Sequence, residues 1–135
     1  MIAVFETNVV LDVLLARPKF LADSAAAFSR VELGEHRGLV CADAITTIHY
    51  IARRELGTRD SLEKLRDLLK IFGVSQVSET VIASALSSGF TDFEDAVLHE
   101  SAKASRADCI VTRNIRDFRT STVSVYTPSQ FLIAT

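Results

Sequence analysis

Acidic and amide side chains stand at three places where the apolar pattern of the chain breaks. Glu6 directly follows the apolar run Ile2-Ala3-Val4-Phe5, and Thr112, Arg113, Asn114 and Asp117 follow the apolar run ending at Val111. Between them Asp92, Glu94 and Asp95 open a helical pattern, with Asp92 and Asp95 three residues apart and so on one face. Asp95 is followed by Ala96, Val97 and Leu98, which suggests that its face turns inward. Carboxylates gathered from separate segments repel one another and lose hydration unless a cation joins them. An all-oxygen set with retained waters is the preference of Mg²⁺ or Mn²⁺. A metal held in this way supports water activation and stabilises charge on a phosphoryl group, so phosphodiester hydrolysis is one chemistry open to such a site.

The elements that must position these groups read as alternating strands and helices. Ile2 to Phe5 is β-prone and continuously apolar, as expected of a strand buried on both faces. From Thr7 the spacing turns helical until Arg17-Pro18, and a second helix is expected from Leu21 to about Glu35. Gly38 to Cys41 reads as a strand, followed by a helix capped by Asp43 and stopped by Gly57. A helix starting at Thr58 or Asp60, a strand at Gly73 to Val77 and a helix capped by Ser78 come next. Thr91 and Glu94 make a capping box for the helix that runs to about Ser105. Strands at Asp108 to Val111 and Val123 to Tyr126 precede Thr127-Pro128-Ser129-Gln130, a capping box with Pro at the first helical position. This alternation predicts one α/β domain over residues 1–135, a parallel sheet with helices on both faces. Ligands of such sheets sit beyond the carboxyl ends of the strands, where Glu6 and the segment 112–117 fall.

The resemblance is then to a known family. Ile2-Ala3-Val4-Phe5-Glu6-Thr7-Asn8, Asp92-Phe93-Glu94-Asp95-Ala96 and Ile110-Val111-Thr112-Arg113-Asn114-Ile115-Arg116-Asp117-Phe118 together resemble a PIN domain, of the kind found in VapC-type toxin ribonucleases. Thr-Arg-Asn-x-x-Asp-Phe is the most specific piece, and the similarity runs to the final Thr127-Pro128-Ser129-Gln130-Phe131-Leu132. The resemblance implies a Mg²⁺- or Mn²⁺-dependent endoribonuclease, often the toxin of a toxin–antitoxin pair, held inactive by a small antitoxin and commonly a homodimer. Carried over residue by residue, it implies metal ligation by Glu6, Asp95 and Asp117, with Asn114 as polar neighbour, Asp92 as a further carboxylate at the rim, and Arg113 and Thr112 toward the substrate. Arg113 is the candidate phosphate contact.

Two departures bear on activity. The family places Asp before Thr-Asn, whereas this chain has Glu6. One added methylene moves the carboxylate by roughly 1 Å, which can cost on the order of 10²-fold in rate. Where many relatives carry an acid early in the helix after the second strand, Thr47 stands here. A PIN-like module that binds RNA or a partner without cutting is therefore the alternative reading.

Some of these residues have plain structural readings. Glu94 serves the capping box, Asp92 serves either the site or the helix dipole, and Asp43 serves its helix start and lies outside the site. His36, His49 and His99 lack metal-ligand spacing. Cys41 and Cys109 sit in apolar stretches outside any CxxC pattern, as buried reduced thiols do, and with no signal-peptide pattern they point to a cytoplasmic protein. The net charge of −2, from 15 Lys and Arg against 17 Asp and Glu, provides no global attraction for nucleic acid, so any phosphate contact must be local.

Overall fold

The computed structural model describes all 135 residues. The strands are β1 (Ile2–Phe5), β2 (Arg37–Cys41), β3 (Gly73–Ser75), β4 (Cys109–Val111) and β5 (Ser124–Tyr126). The helices are α1 (Thr7–Leu14), α2 (Leu21–Glu32), α3 (Ala42–Leu56), α4 (Thr58–Ile71), α5 (Glu79–Leu86), α6 (Phe93–Ala104) and α7 (Pro128–Ala134), with a short 3₁₀ turn at Ile115–Phe118. All strand pairs are parallel, in the order β3-β2-β1-β4-β5.

This order gives the fold its site. The chain leaves β1 toward β2 and β3, then returns across it to β4 and β5, so the connections diverge between β1 and β4. The carboxyl ends of those two strands open a crevice at such a switch point. Val4 pairs with Ile110 and Phe5 with Val111, and the Glu6 N–H donates to the Val111 carbonyl at 2.9 Å. That last bond locks the first residue of one loop to the root of the other.

Both faces of the sheet are covered. Ala3, Val4 and Phe5 alternate in direction yet all are 0% exposed. On one face Phe5 meets the rings of Phe28, Phe72 and Phe131 edge-on at 5.0–5.7 Å, joining α2 and α7 to the strand. On α6, Ser101 Oγ bonds Ser75 Oγ at 2.8 Å and the Gln76 carbonyl at 2.7 Å. α6 is thereby held over the sheet near the end of β3. Cys41 and Cys109 are free and buried, with burial pushing their thiols up to about 12 and about 11. No helix is long and apolar enough to cross a membrane.

Several boundaries differ from the sequence pattern. α2 stops at Glu32, because Leu33 and Gly34 (φ +79°) turn the chain and Gly34 N–H bonds the Val31 carbonyl at 3.0 Å. α3 begins at Ala42 with Cys41 in the cap position, so Asp43 lies inside the first turn instead of capping it. The capping box expected at Thr91 and Glu94 is absent. Asp92 caps α6, accepting the Asp95 N–H at 2.9 Å, and Glu94 is left free to face elsewhere. The box at Thr127 and Gln130, with Pro128 at the first helical position, forms as expected.

Candidate active site

At the carboxyl edge between β1 and β4 lies a cleft of about 250 Å³. It is lined by Glu6, Thr7, Asn8, Thr47, Ile51, Asp92, Glu94, Asp95, Asn114 and Asp117. A second hollow of about 330 Å³ continues it past Thr91, again bordered by Asp92, Asp95 and Asp117. Five carboxylates from three separate segments thus converge, and no Lys, Arg or His lines either hollow.

Each acid is placed by local chain physics. Glu6 is the N-cap of α1: its backbone is extended and its Oε2 accepts the Asn8 N–H at 2.8 Å. The longer side chain therefore folds back over its own helix start. Asp117 sits in the 3₁₀ turn, whose Asp117 N–H donates to the Asn114 carbonyl at 3.0 Å. The Asn114 N–H donates to Thr112 Oγ1 at 3.0 Å. This contact keeps the amide-bearing residue at the cleft.

The charges are mutually unfavourable. Burial, then Asp92, Glu6, Asp117 and Glu94 in that order, raise Asp95 to about 7. Glu6 is raised by burial, against the Asn8 N–H and the positive charge of Arg113, while Glu94 adds a smaller push upward. Glu94 itself is raised by burial and by Asp43 and Asp92. Such crowding destabilises the folded chain unless positive charge enters the cleft.

The structure brings Glu6, Asp92, Asp95, Asn114 and Asp117 together. It does not bring Arg113 and Thr112 to the same cleft. Thr112 is 1% exposed, its hydroxyl used by the Asn114 N–H. Arg113 turns to the opposite side of the segment: its guanidinium lies 3.8 Å over the Phe20 ring and its Nε is 2.7 Å from Asp12 Oδ2. Adjacency to Asn114 in sequence was misleading, because the chain bends beyond the strand end and the two side chains face different hollows. His99 is also directed elsewhere: its Nε2 accepts the Thr122 N–H at 3.1 Å, and burial lowers its pKa, in keeping with a neutral ring.

Two residues set aside on sequence grounds belong near the site. Glu94 lines the cleft, and Asp43 lies close enough to raise it. The signal for Asp43 was its place at the carboxyl end of β2, beside β1. Thr47 and Ile51, one turn apart on α3, form the wall where an acid was expected to stand.

The fold has well-matched counterparts among solved structures. VapBC2 from Rickettsia felis, bound to a DNA fragment from its promoter, superposes with TM-score 0.72 at 14% identity, covering 93% of this chain and 97% of that one. A toxin–antitoxin complex from Klebsiella pneumoniae gives 0.70 at 18% identity, with coverage of 93% and 97%. VapC20 from Mycobacterium tuberculosis, a Sarcin-Ricin loop cleaving toxin, gives 0.65 at 12% identity, with coverage of 80% and 86%. At these identities the likeness is one of fold. No curated protein sequence matches the chain. Residues 3–116 match the PIN domain family over most of the sequence, and the chain belongs to that family.

Proposed function

We propose that this chain is a divalent-metal-dependent endoribonuclease, the toxin of a toxin–antitoxin pair. The observation that carries this reading is the convergence of Glu6, Asp92, Glu94, Asp95 and Asp117 on one cleft without a cationic side chain, where burial and then the neighbouring acids raise Asp95 to about 7.

The donor set suits a hard divalent cation. All of the available ligand atoms are oxygens: the five carboxylates, the Thr7 and Thr47 hydroxyls and the side-chain carbonyls of Asn8 and Asn114. No three His, Cys, Asp or Glu side chains meet at a common ligand position. A cation here would therefore meet one or two carboxylates and keep several waters, and an all-oxygen set of that kind is the habit of Mg²⁺ and Mn²⁺. Glu6, Asp95 and Asp117 would hold the ion, one or two of them directly and the rest through its waters, with Asp92 at the rim. When bound, it would supply an activated water and neutralise charge on the phosphoryl group.

The chain's own groups divide the remaining work. Asp95 gives up its proton near neutrality, more readily once positive charge sits beside it. Asn114, on a backbone fixed through Thr112, orients a water or a phosphoryl oxygen with its side-chain amide. Thr47 and Ile51 form a wall without charge and so do not compete for the ion.

The complexes of the structural relatives support a small antitoxin as partner. A homodimeric state and a cytoplasmic location belong to the same reading. The test is Mg²⁺- and Mn²⁺-dependent cleavage of a mixed RNA pool by this chain, by Glu6→Asp and by Asp95→Asn. Metal-dependent cleavage by the first two and none by the third is expected. RNA bound by every form and cut by none would instead favour a binding module, the reading suggested by Glu6 and Thr47.

A further inference from the structure

Successive residues divide two hollows. Asn114 lines the acidic cleft, while Arg113 lines a separate hollow of about 190 Å³ between the α1–α2 connection and the start of α7. The chemistry of this second hollow is reversed. Lys19 and Arg113 bring positive charge to it, and Asp23, which is exposed, is its single carboxylate.

Its most informative member is Ser24. The residue is 0% exposed, it borders the hollow, and its Oγ has no hydrogen-bond partner within the protein. A buried hydroxyl without a partner is costly, and native proteins seldom keep one unless something else completes it. Arg113 is set in advance beside it. Phe20 supports the guanidinium from below at 3.8 Å, and the contact with Asp12 runs through Nε at 2.7 Å, on the edge of the guanidinium. Arg17 shares the buried Asp12 through a 3.4 Å contact. Arg17, Lys19 and Arg113 against Asp12 and Asp23 leave one positive charge over, the complement of a phosphodiester monoanion.

We propose that this hollow binds a phosphodiester phosphate of the RNA strand whose neighbouring phosphate enters the acidic cleft. Ser24 Oγ–H, Lys19 Nζ and the Arg113 Nη groups are its donors. The inference rests on the nuclease reading for its ligand and adds to that reading a site that fixes strand position. Charge-assisted bonds from a preset guanidinium hold phosphate oxygens in a defined direction. The strand would then be anchored on one side of the 113–114 segment and presented for cutting on the other.

The test is equilibrium binding of single-stranded RNA to the full chain in Mg²⁺, in an Asp95→Asn background so that the RNA stays whole. Ser24→Ala is expected to weaken binding about tenfold, the loss of one hydrogen bond to a charged group. The same change is expected to raise the thermal midpoint of the free protein by about 2–6 °C, because it removes an unpaired buried hydroxyl. A hydroxyl that served only the fold would not move the two readouts in opposite directions. Lys19→Gln is expected to reduce the slope of log K against log salt by about 1.

RNA affinities unchanged in both variants would overturn the inference, and RNA cleavage by the chain with Asp95 intact would then leave the nuclease reading standing. RNA bound through Ser24 and Lys19 but cut by no form would keep the subsite and end the nuclease reading. Inorganic phosphate that stabilises the chain only when Ser24 is present, alongside RNA affinity indifferent to both variants, would assign the hollow to a free anion and also overturn the inference. A chain that binds no RNA would overturn both.

Discussion

Asp92 Oδ1 accepts the backbone N–H of Asp95 at 2.9 Å, so the carboxylate that starts α6 is fixed beside the carboxylate one turn into it. The cap that makes the helix also contributes, after burial, the largest single charge repulsion on Asp95. Stability and site chemistry oppose each other here, as they commonly do where activity needs strained electrostatics.

The consequence for pH follows from the sign of the shift. Asp95 titrates at about 7 in the folded chain and near 3.8 otherwise, so between these values the native state holds a proton that the unfolded state has lost. Stability in EDTA is therefore expected to fall as pH rises from about 4 to about 7. Glu6 and Glu94, also raised, add to the same trend. Asp95→Asn should flatten much of the profile, raise the thermal midpoint above pH 7, and abolish metal-dependent cleavage. Melts in EDTA across this range check it, and a wild-type chain that grows more stable toward pH 7 contradicts it.

Glu6→Asp tests the cost of the extra methylene. Glu6 caps α1 by bending back to the Asn8 N–H, a task that Asp performs more readily with its shorter side chain. The substitution should keep the cap, leave stability within about 1 kcal/mol, and set the carboxylate back by roughly 1 Å, raising kcat/KM by about 10- to 100-fold. Cleavage rates of the two forms at equal Mg²⁺ check it. No gain in rate would remove Glu6 as the cause of any attenuation.

The sheet was readable in the sequence because apolar runs buried on both faces have a distinctive pattern, as Ile2 to Phe5 and Cys109 to Val111 illustrate. The acidic convergence followed from Glu6 and Asp117 standing after strand ends and from Asp95 opening an inward-facing helix. What was not readable was direction. Thr91-x-x-Glu94 and Asp92-x-x-Asp95 are equally good capping patterns one residue apart, and only the path of the chain into α6 selects Asp92. In the same way, Arg113 and Asn114 are neighbours whose side chains part at a bend that no local periodicity encodes. The buried Asp12 was invisible for a related reason: an acid in the middle of a short helix reads as surface until its two arginine partners are folded onto it.

Arg113 and Asp12 should show an asymmetric response to truncation. Asp12 is 0% exposed at its side chain, whereas Arg113 and Arg17 retain 24% and 31% exposure. Removing the arginine leaves a fully buried carboxylate with only the 3.4 Å contact to Arg17, while removing the acid leaves cations that can still reach water. Arg113→Ala is expected to destabilise by about 3–5 kcal/mol, and Asp12→Ala by less. The double variant should cost less than the sum of the two singles, since one change relieves the charge stranded by the other. Urea unfolding of the three variants checks this, and equal, additive losses would show that the pair is not coupled.

Gly38 is required by close packing and not by backbone conformation. A Cβ placed there would lie 2.5 Å from Phe72 Cε2 and 2.8 Å from Val31 Cγ1. Phe72 is held between Phe5 and Phe28, with ring centroids 5.0 and 4.7 Å away, so it has little freedom to retreat. Gly38→Ala should therefore cost about 1–3 kcal/mol through overpacking, despite the better strand propensity that a side chain would bring. Because Gly38 pairs with Ala3 on β1, any relief by shifting β2 would move the root of α3, which carries Thr47 and Ile51 into the cleft. A lower urea midpoint with an unchanged m-value is expected. A reduced cleavage rate well below the unfolding midpoint would mark strain transmitted along β2 to the site, whereas full activity at that point would confine the damage to the packing between β2 and α2.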